Sequence, residues 1–174
     1  MKAAPTITEI RPVRESDLAE ICEIVNYFIA NTWVNFRTRL QEVGEWRDEW
    51  HRCREKYPWL TAEREGRVAG FAYSAPFKQR EAYDRSVEVT VYVAKDFHRC
   101  GVGRTLYEQL IPTLDQLKFH TNIAVIGLPN GPSVGLHEAF GFKHAGTLKD
   151  AGFKMAGWHD VGFWQRMSPV DIRP

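Results

Sequence analysis

Apolar and polar positions alternate most regularly between Arg85 and Ala94. One face of this segment carries Val87, Val89, Val91 and Val93, and the other carries Glu88, Thr90 and Tyr92. A period of two is typical of a β-strand, because successive side chains point to opposite faces of the sheet. The pattern therefore predicts a strand from Arg85 to Ala94.

A different period predicts two helices nearer the start of the chain. Apolar residues recur there at spacings of three and four, at Leu18, Ile21, Ile24, Val25, Phe28 and Ile29. This spacing places them on one face of a helix, which Ser16 or Asp17 can cap. A loop from Asn31 to Arg39 follows. The second helix is marked by Val43, Trp46, Trp50 and Cys53. Before both helices, the β-branched run from Thr6 to Arg11 predicts a strand that Pro12 ends.

The middle of the chain predicts a hairpin and then a long helix. The hairpin joins Trp59–Glu63 to Arg67–Ser74 through a tight turn, in which Gly66 supplies the positive φ that such turns need. The helix runs from Gly101 to Lys118. Pro112 is expected to kink or shorten it, because proline has no N–H to donate to the preceding turn.

The remaining elements complete an alternating order. They are a polar, aromatic loop at Pro76–Asp84, a strand at Asn122–Gly127, a short helix at Ser133–Phe140 and two strands from Phe142 onward, the last near Asp160–Met167. The order predicts an α/β (α+β) fold, with a mixed central sheet of about seven strands flanked by helices. A doubly wound dinucleotide fold is excluded, because no glycine-rich turn follows the first strand. The length suits a single domain, residues 1–174.

Charge and cysteine content narrow the class of protein. The formal net charge is +1, which indicates neither a nucleic-acid partner nor a membrane partner. No apolar run approaches the ~20 residues of a membrane span, and no signal segment is evident, so we expect a cytoplasmic protein. Cys22, Cys53 and Cys100 are widely spaced and form no CxxC pair, so we expect reduced thiols and no metal site.

A Gly-x-Gly element joins the clearest strand to the long helix. The first N–H groups of a helix have no internal partner and attract anions. Gly101 and Gly103 allow a phosphate to approach the backbone, and Arg99 and Arg104 add positive charge. By spacing alone, the element is either a phosphate site or an ordinary helix start that requires glycine.

This element resembles the pyrophosphate loop of the GNAT acetyltransferases, in which a strand leads into Gln/Arg-x-x-Gly-x-Gly/Ala. The run here is His98-Arg99-Cys100-Gly101-Val102-Gly103, with His98 where Gln or Arg is usual. A second landmark also matches, since Asn130 follows a strand and precedes the helix that contains Leu136-His137-Glu138. The resemblance implies a GNAT fold and acetyl-CoA as cosubstrate. The residues that it implies for cosubstrate binding are Val91, Tyr92, Val93, Arg99, Cys100, Gly101, Val102, Gly103, Arg104 and Asn130.

The resemblance extends to the phosphinothricin N-acetyltransferase branch of that family, from about Ile10 to Arg166. The matching runs are Val34-Asn35-Phe36-Arg37-Thr38, Tyr57-Pro58-Trp59-Leu60, Ala82-Tyr83-Asp84, Ile126-Gly127-Leu128-Pro129-Asn130 and Trp158-His159-Asp160-Val161-Gly162-Phe163-Trp164-Gln165. The branch implies a homodimer formed with the C-terminal strands. Trp158 to Trp164 are therefore expected in core or dimer packing.

Amine acetylation needs a base, a group that polarises the thioester carbonyl, and an acid for the departing thiolate. Glu88 is either a solvated strand carboxylate or the base, and the resemblance favours the base. A backbone N–H of Val91 or Val93 would polarise the carbonyl, since the family's strand carries a bulge and splays from its neighbour. His137 is either the acid or an ordinary hydrogen-bonded helix residue. Tyr92 and Tyr107 are alternative acids that more commonly serve in packing.

The loop before the Glu88 strand carries the groups expected to recognise the acceptor. Lys78, Arg80 and Tyr83 suit an amino acid with carboxylate and phosphinate-like groups. Phe36 and Arg37 belong to the loop between the first two helices, which covers the acceptor in the resembling family. Read without the resemblance, the same cations are solvated loop residues.

These expectations combine into one activity with two alternatives. The chain is expected to acetylate the α-amine of a small amino-acid analogue, with phosphinothricin the leading acceptor. Methionine sulfone or sulfoximine is the alternative acceptor, because each presents a similar tetrahedral oxygen-bearing group. A non-catalytic acyl-CoA sensor is the alternative class of protein, but such a module would need neither Glu88 nor His137.

Overall fold

The computed structural model describes residues 9–170 and contains one mixed sheet with helices on both faces. Its strands are β1 (Glu9–Pro12), β2 (Trp59–Arg64), β3 (Arg67–Pro76), β4 (Ser86–Val93), β5 (Thr121–Gly127), β6 (Lys143–Lys154) and β7 (Gly157–Met167). Its α-helices are α1 (Leu18–Asn31), α2 (Val43–Cys53), α3 (Val102–Gln116) and α4 (Gly131–Ala139). The predicted mixed sheet of seven strands flanked by helices is confirmed. Thr6 to Thr8 of the first predicted strand lie outside the described residues.

The strand order across the sheet is β1-β2-β3-β4-β5-β7-β6. All neighbouring strands are antiparallel except β4 and β5, which run parallel. Helix α3 makes the connection between these two strands, as a parallel pair requires. The parallel junction therefore separates a half-sheet of β1 to β4 from a half-sheet of β5 to β7.

Each face of the sheet buries its own apolar cluster. One cluster contains Val87 and Val89 of β4 and the inner side of α3, including Leu106, Tyr107 and Leu110. The other packs α1 and α2 against β2 and β3 through aromatic rings, including Trp46, Trp59 and Phe71. The two faces of β4 therefore meet different surroundings, with the valine face towards α3 and the face of Glu88, Thr90 and Tyr92 towards α1 and α2.

The predicted hairpin turn and helix bounds hold closely, and the predicted cap of α1 holds in position but not in its hydrogen bond. Glu65 and Gly66 both have positive φ, as a tight two-residue turn requires. Asp17 occupies the N-cap position of α1, as predicted, but its side chain makes no capping hydrogen bond. The Asp17 carboxylate instead accepts the Arg14 N–H at 2.7 Å and forms a bidentate ion pair with Arg11, at 2.7 and 2.9 Å.

Helix α3 continues through Pro112 to Gln116, so the expected shortening does not occur. Pro112 lies on the exposed side of the helix, as does Glu108, whose carbonyl would otherwise accept its missing N–H. Solvent can satisfy that carbonyl, and the buried face of the helix keeps its packing. The three cysteines form no disulfide. Within residues 9–170, no helix is long and apolar enough to cross a membrane.

Candidate active site

The parallel junction between β4 and β5 opens into a cleft. The two strands pair only at Ser86–Thr121, Val87–Asn122 and Glu88–Ile123 and then separate. A cavity of about 590 Å³ lies beyond the last pair, between the free half of β4, the start of α3 and the start of α4. This volume falls in the range of small-molecule sites, and its position at the end of a parallel pair is typical of α/β ligand sites.

Among residues 9–170, the N–H groups of Val91 and Val93 in β4 face this cavity without a partner. The N–H of Ala94 donates to the Ala69 carbonyl of β3 at 2.9 Å. Since backbone groups alternate sides along a strand, those of Val91 and Val93 point away from β3 and towards the cleft. The register between β3 and β4 is continuous, so β4 carries no bulge against β3. The expected splay of β4 from β5 is present, and the expected bulge is absent. The divergence of β5 alone frees the backbone groups of Val91 and Val93.

The N-terminus of α3 forms one wall of the cavity. Gly101 precedes the helix at φ 80°, a left-handed conformation that glycine adopts without strain. Within residues 9–170 the N–H groups of Val102, Gly103 and Arg104 have no backbone partner, and the helical ladder begins with Thr105 N–H to the Gly101 carbonyl, at 3.0 Å. No acidic residue lies in this first turn. The geometry and the charge both favour a bound anion.

Every residue predicted to hold the cosubstrate lines this cavity except Cys100. The Cys100 side chain packs against the apolar cluster below α3 instead. His98 also lines the cavity, and its Nε2 donates to the Val93 carbonyl at 3.0 Å, which ties the loop to the end of β4. Asn130 accepts the Ser133 N–H at 3.2 Å and so caps α4 at the cavity edge.

These residues fit a nucleotide thioester such as acetyl-CoA. Its pyrophosphate requires N–H donors on a surface without side chains, and the start of α3 provides them. A Cβ on Gly103 would lie 3.2 Å from Leu136 Cδ2 and would fill the floor of the cradle. The amides of the pantetheine arm need backbone partners, which Val91 and Val93 offer at the open edge of β4.

His137 and Tyr107 form a buried pair at the inner end of the cavity. The Tyr107 hydroxyl lies 2.9 Å from His137 Nε2, and His137 Nδ1 lies 2.7 Å from the Ser133 carbonyl. A carbonyl only accepts, so Nδ1 carries the proton of the neutral ring and Nε2 accepts from Tyr107. Burial lowers the pKa of His137 and raises that of Tyr107. Only His137 of this pair lines the cavity.

Glu88 lies at the point where β4 and β5 separate. It is the last β4 residue paired with β5, and its side chain is half-buried on the face that points towards α1 and α2. Burial raises the pKa of the Glu88 carboxyl, and the nearby Lys78 ammonium opposes that rise. Its carboxylate accepts no hydrogen bond from residues 9–170. A desolvated, uncommitted carboxylate of this kind is a stronger base than a solvated one.

The acceptor loop, residues 32–38, covers this face of β4. Asn35 Nδ2 donates to the Tyr92 hydroxyl at 3.0 Å, and Asn35 Oδ1 accepts the Arg37 N–H at 2.9 Å. Arg37 is exposed but close enough to lower the pKa of Tyr92, against the larger opposite effect of burial. Phe36 is half-buried beneath the loop. The structure therefore brings Arg37 near Tyr92, whereas the Phe36 ring packs against Gly127 and Gly152.

Lys78, Arg80 and Tyr83 lie on the exposed loop that leads into β4. Of the three, Lys78 opposes the rise that burial causes in the pKa of Glu88. Tyr83 packs edge-on against Phe77, with ring centres 5.8 Å apart. The Arg80 side chain makes neither a hydrogen bond nor an ion pair with residues 9–170, so its guanidinium can meet an incoming anion. None of the three lines the cosubstrate cavity, and only Lys78 is shown to lie near Glu88.

Two residues of the acceptor side were missed by sequence reasoning as site members. Asn35 was read only as part of a loop motif, yet its side chain makes the contact between the acceptor loop and β4. Tyr73 is paired with Thr90 across β3 and β4, and burial raises the pKa of its hydroxyl. The alternation of β3 offered a signal for Tyr73, since it places Tyr73 and Phe71 on the same face.

Comparisons with known proteins agree with this geometry. Residues 10–162 match the family model described as an acetyltransferase (GNAT) domain. The chain is 54% identical to a phosphinothricin N-acetyltransferase from Streptomyces viridochromogenes, over 95% of this chain and 93% of that protein. It is 32% identical to an L-methionine sulfoximine/L-methionine sulfone acetyltransferase from Pseudomonas paraeruginosa, over 95% and 98%.

A solved structure extends the agreement to three dimensions. The crystal structure of a GNAT superfamily phosphinothricin acetyltransferase from Sinorhizobium meliloti, in complex with acetyl-CoA, superposes with a TM-score of 0.90 at 31% identity, covering 94% of this chain and 89% of that one. The fold and the cleft define an acyl-CoA-dependent acyltransferase. The chain belongs to the GNAT acetyltransferase family, as its glycine element and Asn130 helix predicted.

Proposed function

We propose that this acetyltransferase transfers the acetyl group of acetyl-CoA to the α-amine of phosphinothricin. One observation carries the proposal: Glu88, with its raised pKa, lies between the cosubstrate cavity and a face that cations approach. Arg37, Lys78 and Arg80 supply those cations, which suit a carboxylate and a phosphinate. The phosphinothricin N-acetyltransferase from Streptomyces, at 54% identity, supports the same acceptor.

The protein groups divide the reaction between them. When bound, acetyl-CoA supplies the thioester from which the acetyl group is transferred. Glu88 removes one proton from the acceptor ammonium, directly or through a water, and leaves a lone pair on nitrogen. After this lone pair attacks the carbonyl, the nitrogen gives its second proton to water and becomes the amide. The N–H groups of Val91 or Val93 donate to the carbonyl oxygen as negative charge develops there. Val102 to Arg104 hold the pyrophosphate through their N–H groups.

His137 is the proposed acid for the departing thiolate. In its imidazolium form it gives one proton to sulfur and becomes neutral imidazole. The lowered pKa of His137 makes its imidazolium form a stronger acid. It also reduces the fraction of His137 that is protonated at neutral pH. Tyr107 keeps the ring in place in both states: it donates to Nε2 of the neutral ring, and its oxygen accepts from Nε2–H of the imidazolium. The raised pKa of Tyr107 makes this phenol a weak acid, which supports His137 over Tyr107 in the role.

Methionine sulfone and methionine sulfoximine form the second acceptor hypothesis. The Pseudomonas relative that acetylates these compounds by name is 32% identical over nearly the whole chain. Both compounds keep the α-amine and replace the charged phosphinate by a neutral tetrahedral group. The exposed Arg80 and Lys78 favour the charged acceptor.

A panel of amino-acid analogues tests the proposal. Purified protein would be mixed with acetyl-CoA and phosphinothricin, methionine sulfone, methionine sulfoximine or a common amino acid, and released thiol would be followed. We expect the highest kcat/KM for phosphinothricin. A higher value for the sulfone would transfer the assignment to the second hypothesis. Acetyl-CoA should also raise the Tm, while binding without turnover of any amine would indicate the sensor module.

The proposed enzyme is a cytoplasmic homodimer that needs neither a nucleic acid nor a membrane. The β6–β7 hairpin exposes a row of large apolar side chains, namely Leu148, Phe153, Met155 and Trp158. Trp158 is 62% exposed, whereas Trp164 of the same strand is buried in the core, so only the former is free for a partner. Exposed apolar patches commonly mark interfaces. Analytical ultracentrifugation should show a dimer that Trp158→Glu converts to a monomer.

A further inference from the structure

The acceptor loop rests on the C-terminal hairpin, although about 120 residues separate them in sequence. Lys154 lies at the end of β6 and is buried, with 7% of its surface exposed. Its Nζ donates to the Ile29 carbonyl at 2.7 Å and to the Asn35 carbonyl at 2.6 Å. The first carbonyl belongs to the last turn of α1, and the second to the acceptor loop. The Lys154 ammonium therefore joins the end of α1 to the middle of the acceptor loop.

A second contact places Phe36 against the same hairpin. Gly152 of β6 lies directly under the Phe36 ring, and a Cβ on Gly152 would be 2.6 Å from Phe36 Cδ1 and 2.9 Å from Cζ. On the other side, a Cβ on Gly127 of β5 would lie 3.2 Å from the ring. Two glycines therefore form a slot that holds one aromatic ring of the acceptor loop.

A third contact stacks Trp33 on His159 of β7, with ring centres 5.3 Å apart and planes inclined by 3°. His159 Nε2 in turn donates to the Lys154 carbonyl at 3.0 Å. The loop thus touches the hairpin at three successive points, through Trp33, Asn35 and Phe36. From Asn35 the contact continues to Tyr92, which lies on the same face of β4 as the proposed base.

We propose that the β6–β7 hairpin sets the position of the acceptor loop, with Lys154 and Gly152 as positioning residues for acceptor binding. The proposal rests on the function proposed above, in which this loop covers the amino-acid acceptor. Neither residue lines the cosubstrate cavity. Each acts through the loop, Lys154 by holding the Asn35 backbone and Gly152 by admitting Phe36.

Simple core packing does not account for a lysine at this position. Burying an ammonium is unfavourable unless it is hydrogen-bonded, and an apolar side chain of similar volume commonly packs as well or better. Lys149, five residues earlier in β6, is 78% exposed and pairs with Asp160, which is the usual situation of a strand lysine. Lys154 instead directs its donors to two backbone carbonyls, and this arrangement specifies a loop position that an apolar contact would leave loose.

Matched variants within one strand separate loop positioning from general effects on the hairpin. The test variants are Lys154→Met and Gly152→Ala, and the controls are Lys149→Met and Gly146→Ala. A Cβ on Gly146 would meet no atom within 4 Å. Three quantities would be measured for each: kcat and KM for phosphinothricin, Kd for CoA by calorimetry, and hydrogen exchange of the amides of residues 32–38.

We expect each test variant to lower kcat/KM for the acceptor by about 10- to 100-fold, chiefly through KM, as a displacement of about 1 Å does elsewhere. Exchange of the loop amides should become faster. The Kd for CoA should change much less than the acceptor KM, because the α3 cradle touches neither residue and only Thr32 and Val34 of the loop line the cosubstrate cavity. The control variants should match wild type in all three measurements.

Other outcomes overturn the inference. Unchanged acceptor kinetics and unchanged exchange in folded Lys154→Met and Gly152→Ala would make both residues merely structural. Loss of CoA affinity equal to the loss in acceptor kinetics would show a general disturbance. Failure of both test variants to fold, while both controls fold, would make the contacts determinants of folding rather than of loop position. If the wild type acetylates no amine of the panel, the proposed function fails, and loop exchange alone then decides the inference.

Discussion

In the proposed mechanism, the two sides of β4 bind their partners through different parts of the chain. On the cavity side, the donors are backbone N–H groups of Val91, Val93 and the first turn of α3, all within one continuous segment. On the acceptor side, the contacts come from side chains of the acceptor loop, the Lys78 loop and the C-terminal hairpin. Backbone recognition tolerates side-chain change, whereas the acceptor side depends on individual residues. Substitutions that separate the two sides should therefore have separable kinetic effects.

The largest effect is expected where the two sides meet. Glu88→Gln removes the proposed base and keeps its shape, so kcat should fall by about 10²- to 10⁴-fold, the usual contribution of a general base. Stopped-flow detection of the released thiol would measure it. The Kd for CoA should be unaffected, since Glu88 does not line the cavity. Wild-type turnover in Glu88→Gln would remove Glu88 from the mechanism.

The cavity side should respond to a change that blocks its backbone. Gly103→Val places a side chain in the cradle and should raise the Kd for CoA about tenfold, which equals about 1.4 kcal/mol. Isothermal calorimetry with CoA would measure this change. Gly131→Ala is the matched control, because a Cβ there meets no atom within 4 Å. Equal Kd values for the two variants would contradict a cradle at Gly103.

The acceptor side should respond to loss of one exposed cation. Arg80→Ala should raise KM for phosphinothricin about tenfold, the effect of losing one charged hydrogen bond of about 1.5–3 kcal/mol weakened by solvent exposure. KM for acetyl-CoA should not change. Arg85→Ala is the control, because Arg85 is exposed on the same loop and donates to the Lys118 carbonyl, at 3.4 Å. An unchanged acceptor KM for Arg80→Ala would leave the loop cations without a role in anion binding.

The smallest expected effect is on the free energy of unfolding, and its sign follows from the raised pKa of Glu88. A carboxyl whose pKa is raised on folding favours the folded state below its unfolded pKa and loses that contribution as pH rises through the folded pKa. Glu88→Gln should therefore match wild type below about pH 4 and be more stable at pH 8. A gain of about 1 kcal/mol would raise the Tm by about 2–4 °C. Calorimetry at both pH values would detect it, and a lower Tm at pH 8 would show that the carboxylate stabilises the fold.

Local patterns predicted most of the fold, because they are carried by neighbouring residues. The period of β4, the apolar stripe of α1 and the Glu65–Gly66 turn each depend on a few consecutive positions. Pro112 was misjudged because its effect depends on which side of α3 is exposed. The glycine element located the cavity for the same local reason, since one short segment supplies its donors.

The acceptor side was less predictable, because its contacts join distant segments. Lys154 and Asn35 are 119 residues apart, and Tyr107 and His137 are 30 apart. No periodicity relates such pairs, and the identity of a single lysine or glycine does not reveal which distant segment packs against it. Phe36, Arg37 and Lys78 came instead from resemblance to a family. Their roles in acceptor binding and the roles of Glu88 and His137 in catalysis remain predictions for the experiments above.

The cleft that opens beyond the three residue pairs of β4 and β5 has a consequence for the lifetime of the protein. A molecule that binds only to the folded cleft adds to the free energy of unfolding by mass action, by about 2.7 kcal/mol at 100 times its Kd. Proteases cleave transiently opened chains, so their attack slows as that free energy grows. We therefore expect degradation to be slowest where acetyl-CoA is abundant, so that a scarcity of the acetyl donor reduces both the rate of the enzyme and the amount of it that survives.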